Sequence, residues 1–141
     1  MMERDGLLLD THVIVWYGEG RTDQLKDEIV ALIETTAAHG QVHVSTISIW
    51  EIGLLAARNR LHLALPVREW VTRFLDLTGF GLIGLAPDIA IESSFLPDSP
   101  PADPADRLLI ATARHHDLTL LTRDKAILAY GEQGHVRVGA V

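Results

Sequence analysis

The stretch Leu7-Leu8-Leu9-Asp10 decides the fold. Three consecutive leucines do not alternate with polar residues. A strand built from them is buried on both faces, as strands are in a parallel sheet covered by helices. Short apolar runs of the same kind recur at Val42–Val44, Leu82–Leu85, Leu118–Leu121 and His135–Val138. Helical stretches lie between them, at about Gln24–Ala38, Ile49–Asn59, Val67–Leu77, Asp88–Ser94, Pro104–His115 and Lys125–Gly131. Strands alternating with helices predict βαβ units with right-handed crossovers. The expected architecture is a three-layer α/β/α sandwich around a mostly parallel central sheet. The proline-rich stretch Leu96–Pro104 reads as an ordered surface loop before the next helix. No repeat or linker interrupts the chain, so one domain spans residues 1–141.

Composition narrows the function. Hydrophobic residues are 48% and charged residues 22%, which excludes a disordered or collagen-like chain. There is no cysteine, hence no disulfide, no thiolate zinc site and no cysteine nucleophile. The charged segment Met1–Gly6 precedes only three leucines, which argues against a signal peptide. No apolar run approaches the ~18 residues of a membrane span. A cytoplasmic, membrane-free protein is expected. Twelve basic against 19 acidic residues give a net charge of −7. Such a chain binds nucleic acid poorly by charge alone. It can still act on nucleic acid if a divalent cation offsets acids gathered at one site.

In parallel sheets the ligand crevice lies beyond the carboxyl ends of the strands. Acids at those ends are the candidates. Asp10 directly follows the first strand, and either lines the crevice or caps the segment beginning at Thr11. Glu51 forms an S-x-x-E pattern with Ser48, which reads as a capping box or as a metal ligand. Asp103 precedes Pro104 and falls at a helix N-cap. Asp106 then sits in the first turn with no capping duty, freer to bind metal. Asp124 follows the strand ending at Leu121, and either it or Thr122 caps the next helix. Carboxylates gather only around a cation, because like charges raise one another's pKa. Oxygen-only ligands suit Mg²⁺ or Mn²⁺. Mg²⁺ among carboxylates most often serves phosphate-ester chemistry.

Four segments carry a family resemblance: Leu8-Leu9-Asp10-Thr11-His12, Ser48-Ile49-Trp50-Glu51-Ile52, Asp103-Pro104-Ala105-Asp106-Arg107-Leu108-Leu109-Ile110-Ala111-Thr112-Ala113 and Leu121-Thr122-Arg123-Asp124. Together, from Leu7 to about Tyr130, they resemble the PIN-domain family, and more narrowly the VapC-type toxins of bacterial toxin–antitoxin pairs. The resemblance implies a PIN-like fold and a metal-dependent endoribonuclease using Mg²⁺ or Mn²⁺. It implies RNA cleavage to a 5′-phosphate and a 3′-hydroxyl. It places the catalytic, metal-binding acids at Asp10, Glu51, Asp106 and Asp124, with Thr11 and Thr122 in support. Asp103 matches a common aspartate of the subgroup and is kept as a cap. Many relatives carry a histidine just before this Asp-Pro pair, where this chain has Pro101 and Ala102. The resemblance also implies a VapB-like antitoxin partner that contacts DNA on the toxin's behalf, and a homodimer.

The remaining features weigh less. Arg107 and Arg123 flank two of the acids and either contact a phosphate or pair with surface acids. Arg58 and Arg60 end the Glu51 helix, as a substrate rim or as ordinary helix-end charge. Of seven scattered histidines, His12 stands nearest the acids. Trp50, Trp70, Phe74 and Phe80 read as core or partner contacts rather than a base-stacking platform. Gly79, Gly81 and Gly84 bracket a strand and open no helix, so they form no phosphate loop. Two competing readings follow. One is a catalytically silent binding protein whose acids are only caps. The other is a phosphotransferase with Asp10 as nucleophile, disfavoured because His12 stands where a D-x-D motif needs an acid.

Overall fold

A computed structural model of the chain describes residues 6–141. The reading of Met1–Gly6 therefore lies, for residues 1–5, outside the described residues. The elements run β1 (Leu7–Leu9), α1 (Thr11–Gly18), α2 (Asp27–Ala37), β2 (Val42–Ser45), α3 (Thr46–Ala57), α4 (Val67–Leu75), β3 (Phe80–Ile83), α5 (Pro87–Ser94), α6 (Pro104–His116), β4 (Thr119–Thr122), α7 (Lys125–Glu132) and β5 (Val138–Ala140). The strands form one sheet in the order β3-β2-β1-β4-β5. Every pairing is parallel, as the uninterrupted leucines of β1 require.

β1 sits in the middle of the sheet, and its three leucines divide between two cores. Leu7 and Leu9 point to the face where Val13, Ile14, Ile33, Ile52 and Phe74 pack, all from α1 to α4. Leu8 points to the opposite face, against Leu109, Ile110, Ile127 and Tyr130 of α6 and α7. That division follows from right-handed crossovers. The chain moves from β1 to β3 in one direction, so its helices cover one face. It then returns across the sheet to β4 and β5, so the later helices cover the other. The result is the expected three-layer sandwich. Among the described residues, no helix is long and apolar enough to cross a membrane.

Several boundaries depart from the sequence reading. Helix α1 was not anticipated. Its sequence, THVIVWYG, is rich in β-branched and aromatic residues that favour strands over helices. Burial of Val13, Ile14 and Val15 overrides that preference. β3 begins two residues earlier than expected, with Phe80 opposite Val42. β4 ends one residue later and takes in Thr122. β5 is Val138–Ala140 rather than His135–Val138, because Leu120 pairs with Val138. α3 starts at Thr46 with Ser45 as its cap, the Ser45 hydroxyl accepting from the Ile47 amide at 3.0 Å. The Ser48–Glu51 capping box is therefore overturned: both residues lie inside the helix.

Gly79 sets the start of β3. It has φ +88°, and a Cβ there would stand 1.9 Å from the Ala37 carbonyl oxygen. Gly20 also has a positive φ, +65°, but open space around it. Gly79→Ala is expected to cost upwards of about 2 kcal/mol in urea unfolding, and Gly20→Ala only about 1 kcal/mol. Equal costs at the two positions would contradict this register.

Candidate functional site

The sheet changes direction between β1 and β4. The chain leaves β1 toward β2 and leaves β4 toward β5, on opposite sides. Such a switch point opens a crevice at the carboxyl ends of the two strands. Here the Asp10 amide donates to the Leu121 carbonyl at 3.0 Å, which fixes the two ends side by side. The crevice is a cleft of about 260 Å³, and Asp10, Glu51, Asp103, Asp106 and Asp124 all line it. Thr11, His12, Val13, Trp16 and Arg123 complete its wall. All four acids expected as site residues thus meet in one place.

Four of the five acids are each held by a separate local device. Asp10 is the N-cap of α1, and its Oδ1 accepts from the Thr11 amide at 2.7 Å. Its Oδ2 accepts from the Thr122 hydroxyl at 2.6 Å, a bond made possible by Thr122 ending β4. Glu51 is reached from α1. The Thr11 hydroxyl donates to its Oε1 at 2.5 Å and lies 3.0 Å from the buried Ser48 hydroxyl. Asp103 caps α6, its Oδ1 accepting from the amides of Ala105 and Asp106 at 2.8 and 3.3 Å. That leaves the Asp106 carboxylate out of the cap, one residue beyond Ala105 in the first turn. Asp124 caps α7, its Oδ1 accepting from Ala126 and Ile127 at 2.9 and 3.0 Å. Thr122 does not cap that helix; its hydroxyl accepts from the Asp124 amide at 3.0 Å. Asp103 and Asp124 are therefore caps and cleft walls at once, since each cap uses only one carboxylate oxygen.

Electrostatics follow from this crowding. Burial raises the Asp10 carboxyl above its ordinary value, against the lowering effect of the Thr122 and Thr11 bonds. Burial likewise raises Glu51, opposed by the Thr11 hydroxyl. Asp106 is displaced most. Burial first, then repulsion from Asp103, Asp124, Asp10 and Glu51, pushes its pKa up to about 7. Among the described residues no ion pair relieves it. Arg123 lines the cleft, but its guanidinium lies over the Trp16 ring, 4.3 Å from the centroid.

A divalent cation suits this donor set. The donors are hard carboxylate oxygens, and their negative charge is in excess of what nearby side chains neutralise. Among the described residues, however, no three His, Asp or Glu side chains are placed closely enough to hold one ion. The fit is in chemistry and in shared cleft. Holding one ion would bring at least three of these carboxylates closer together than they stand.

Other sequence candidates fall elsewhere. Arg107 does not line the cleft; its Nε donates to the Ser93 carbonyl at 3.3 Å. A larger surface cleft, about 840 Å³, contains Arg114, His135 and Arg137. Their polar heads are already bonded to Glu92, Asp98 and Asp117. Trp16 was missed. It stands four residues after His12 on α1, and the two rings lie 5.7 Å apart. The signal was the i, i+4 spacing, visible only once residues 11–18 are seen as a helix.

A model of the PIN domain matches residues 7–133. The chain is 33% identical over 124 residues to Ribonuclease VapC22 of Mycobacterium tuberculosis, covering 88% of this chain and 91% of that protein. A toxin–antitoxin complex from Klebsiella pneumoniae is similar in structure, with a TM-score of 0.59 at 25% identity over 88% of this chain and 91% of that one. VapBC2 from Rickettsia felis, bound to a DNA fragment from its promoter, shares the fold with a TM-score of 0.68 at 13% identity, covering 95% and 97% of the two chains.

The raised Asp106 pKa has a consequence for stability. Because its value in the fold, about 7, exceeds the ordinary 3.8, the folded state holds a proton that the unfolded chain has lost between those pH values. Stability from this group therefore falls as pH rises through that window. Asp106→Asn removes the effect. In EDTA, the variant is expected to melt a few degrees above wild type at pH 8, with the gap closing toward pH 4. A gap that stays constant with pH would contradict it.

Proposed function

The chain belongs to the PIN-domain family, and from that premise we propose that it is a VapC-type, metal-dependent endoribonuclease. The observation that carries the reading is the meeting of Asp10, Glu51, Asp106 and Asp124 in one cleft, where burial raises the pKa of Asp10, Glu51 and Asp106. These four would hold Mg²⁺ or Mn²⁺, and Asp103 borders them. The ion would supply Lewis-acid stabilisation of the charge that develops on the phosphate. The protein supplies position. Thr122 orients Asp10 and Thr11 orients Glu51, each through a hydroxyl donating to one oxygen. In the cation-free site Asp106, with a pKa of about 7, holds a proton near neutral pH that a bound cation would displace. The substrate is RNA, as it is by name for the ribonuclease relative. The bond cleaved is P–O3′: water adds to phosphorus, and the products are a 5′-phosphate and a 3′-hydroxyl.

Relatives solved as toxin–antitoxin complexes, among them VapBC2 bound to promoter DNA, support a partner of the VapB type, and any DNA would be contacted through that partner. An apolar groove beside the cleft, lined by Ile47, Trp50, Leu54, Pro104 and Leu108, offers a surface for it. Ile91 on α5 and Phe95, the residue that ends that helix, are both exposed and suit a second copy of the chain. Light scattering should give twice the chain mass, and Phe95→Glu should halve it. A monomeric wild type would remove the dimer.

One observation favours the silent-binding alternative: Asp10, Asp103 and Asp124 are all helix caps. The purified chain, freed of any partner and incubated with total RNA and Mg²⁺ or Mn²⁺, separates the two. Discrete fragments are expected, with EDTA, Asp10→Asn or Asp106→Asn lowering cleavage by about a hundredfold or more. Mn²⁺ should also raise the melting temperature of wild type by mass action. No cleavage together with no Mn²⁺ stabilisation would leave the acids as caps.

A further inference from the structure

An acidic cleft repels a polyanion, so something in its wall must attract one. Of the residues lining the cleft, only Arg123 and His12 can carry positive charge. Both belong to a single stack. The Arg123 guanidinium lies 4.3 Å from the Trp16 centroid, and the His12 ring lies 5.7 Å from Trp16, tilted by 44°. Trp16 is half-buried between two exposed neighbours.

Arg123 is held in place from every side. Its Nε donates to the Val141 carbonyl at 3.0 Å and its Nη1 to Gln24 Oε1 at 2.7 Å, while Nη2 donates to the Gln24 carbonyl. Those bonds use three of the five N–H donors of a guanidinium. Two donors and one flat face remain. A guanidinium so fixed has little rotamer freedom left to lose on binding. It is also one residue from Asp124 and from Thr122, the hydroxyl that orients Asp10. A structural staple alone would need no exposed end in the cleft.

Resting on the ribonuclease reading, we propose that the His12–Trp16–Arg123 stack is the substrate-gripping wall of the cleft, taking an unpaired nucleotide next to the scissile phosphate. The exposed face of Arg123 or His12 stacks on the base, and the remaining Arg123 donors contact the neighbouring phosphate. Flat-face stacking needs a base free of its helix, so single-stranded RNA is the substrate and the same sequence in a duplex is not. The stack has no metal-ligating role; it is a specificity and binding device. Lysine cannot replace Arg123, because it keeps the charge and loses the plane.

The test uses the full chain and a labelled RNA carrying a site that wild type cleaves in total RNA. Arg123→Lys and His12→Ala are expected to raise KM about tenfold, the scale of one lost stacking contact, with kcat within about twofold of wild type. Melting temperatures report whether either variant is merely unfolded. As a second readout, single-stranded oligonucleotide should quench tryptophan fluorescence in wild type and in Trp50→Phe, but not in Trp16→Phe. Duplex RNA of the same sequence should be cleaved and bound poorly. Folded Arg123→Lys and His12→Ala proteins with wild-type KM, or quenching that survives Trp16→Phe, would overturn the stack while leaving the ribonuclease reading intact. A wild type that neither cleaves nor binds RNA would overturn both.

Discussion

Carboxylates crowded into a half-buried cleft repel one another, and the carboxyl ends of β1 and β4 hold them together against that repulsion. The constraint begins with backbone geometry. Asp10 follows β1, its amide bonds to Leu121 of β4, and Thr122 at the end of β4 bonds the same aspartate. Once those ends are side by side, the acids carried by the next helices have one place to go. Asp106 enters on the first turn of α6 and Glu51 from inside α3, tied across to α1 by Thr11. The sheet and its two cores make the site rigid enough to keep like charges close.

Several side chains serve stability and chemistry at once. The caps at Asp10, Asp103 and Asp124 satisfy amides that would otherwise end their helices unbonded. The same carboxylates supply the cleft's charge. Asp106, unlike these three, caps nothing; it is pushed furthest from its ordinary pKa and costs the cation-free fold stability at neutral pH. A carboxyl so displaced, in a cleft and without a structural task, marks a candidate functional residue.

Much of this was legible in the sequence, and the failures share a cause. The leucine run of β1 dictated burial on both faces, and the three-layer parallel architecture followed. Asp10, Asp103, Asp106 and Asp124 could be placed because each stood just beyond a strand or at a helix start; Glu51 lies inside α3. The Ser48–Glu51 pattern misled because a local motif was read without knowing where α3 begins; Ser45, three residues earlier, caps it. Helix α1 was hidden because its residues prefer strands, and only packing against the sheet makes them helical. With α1 hidden, the i, i+4 relation of His12 and Trp16 was hidden too. Arg123 was singled out beside Asp124, but its partners Gln24 and Val141 are distant in sequence and no local pattern announces them.

The proposed cation site, built from mutually repelling acids, is tested most directly by the titration of the Asp106 carboxyl by carbon NMR, with and without Mg²⁺. In EDTA the account predicts a midpoint of about 7. With Mg²⁺ the midpoint should fall by more than about one unit, since a bound cation favours the ionised form. An Asp106 that titrates near its ordinary value in EDTA, or a raised midpoint that Mg²⁺ leaves unmoved, would contradict it.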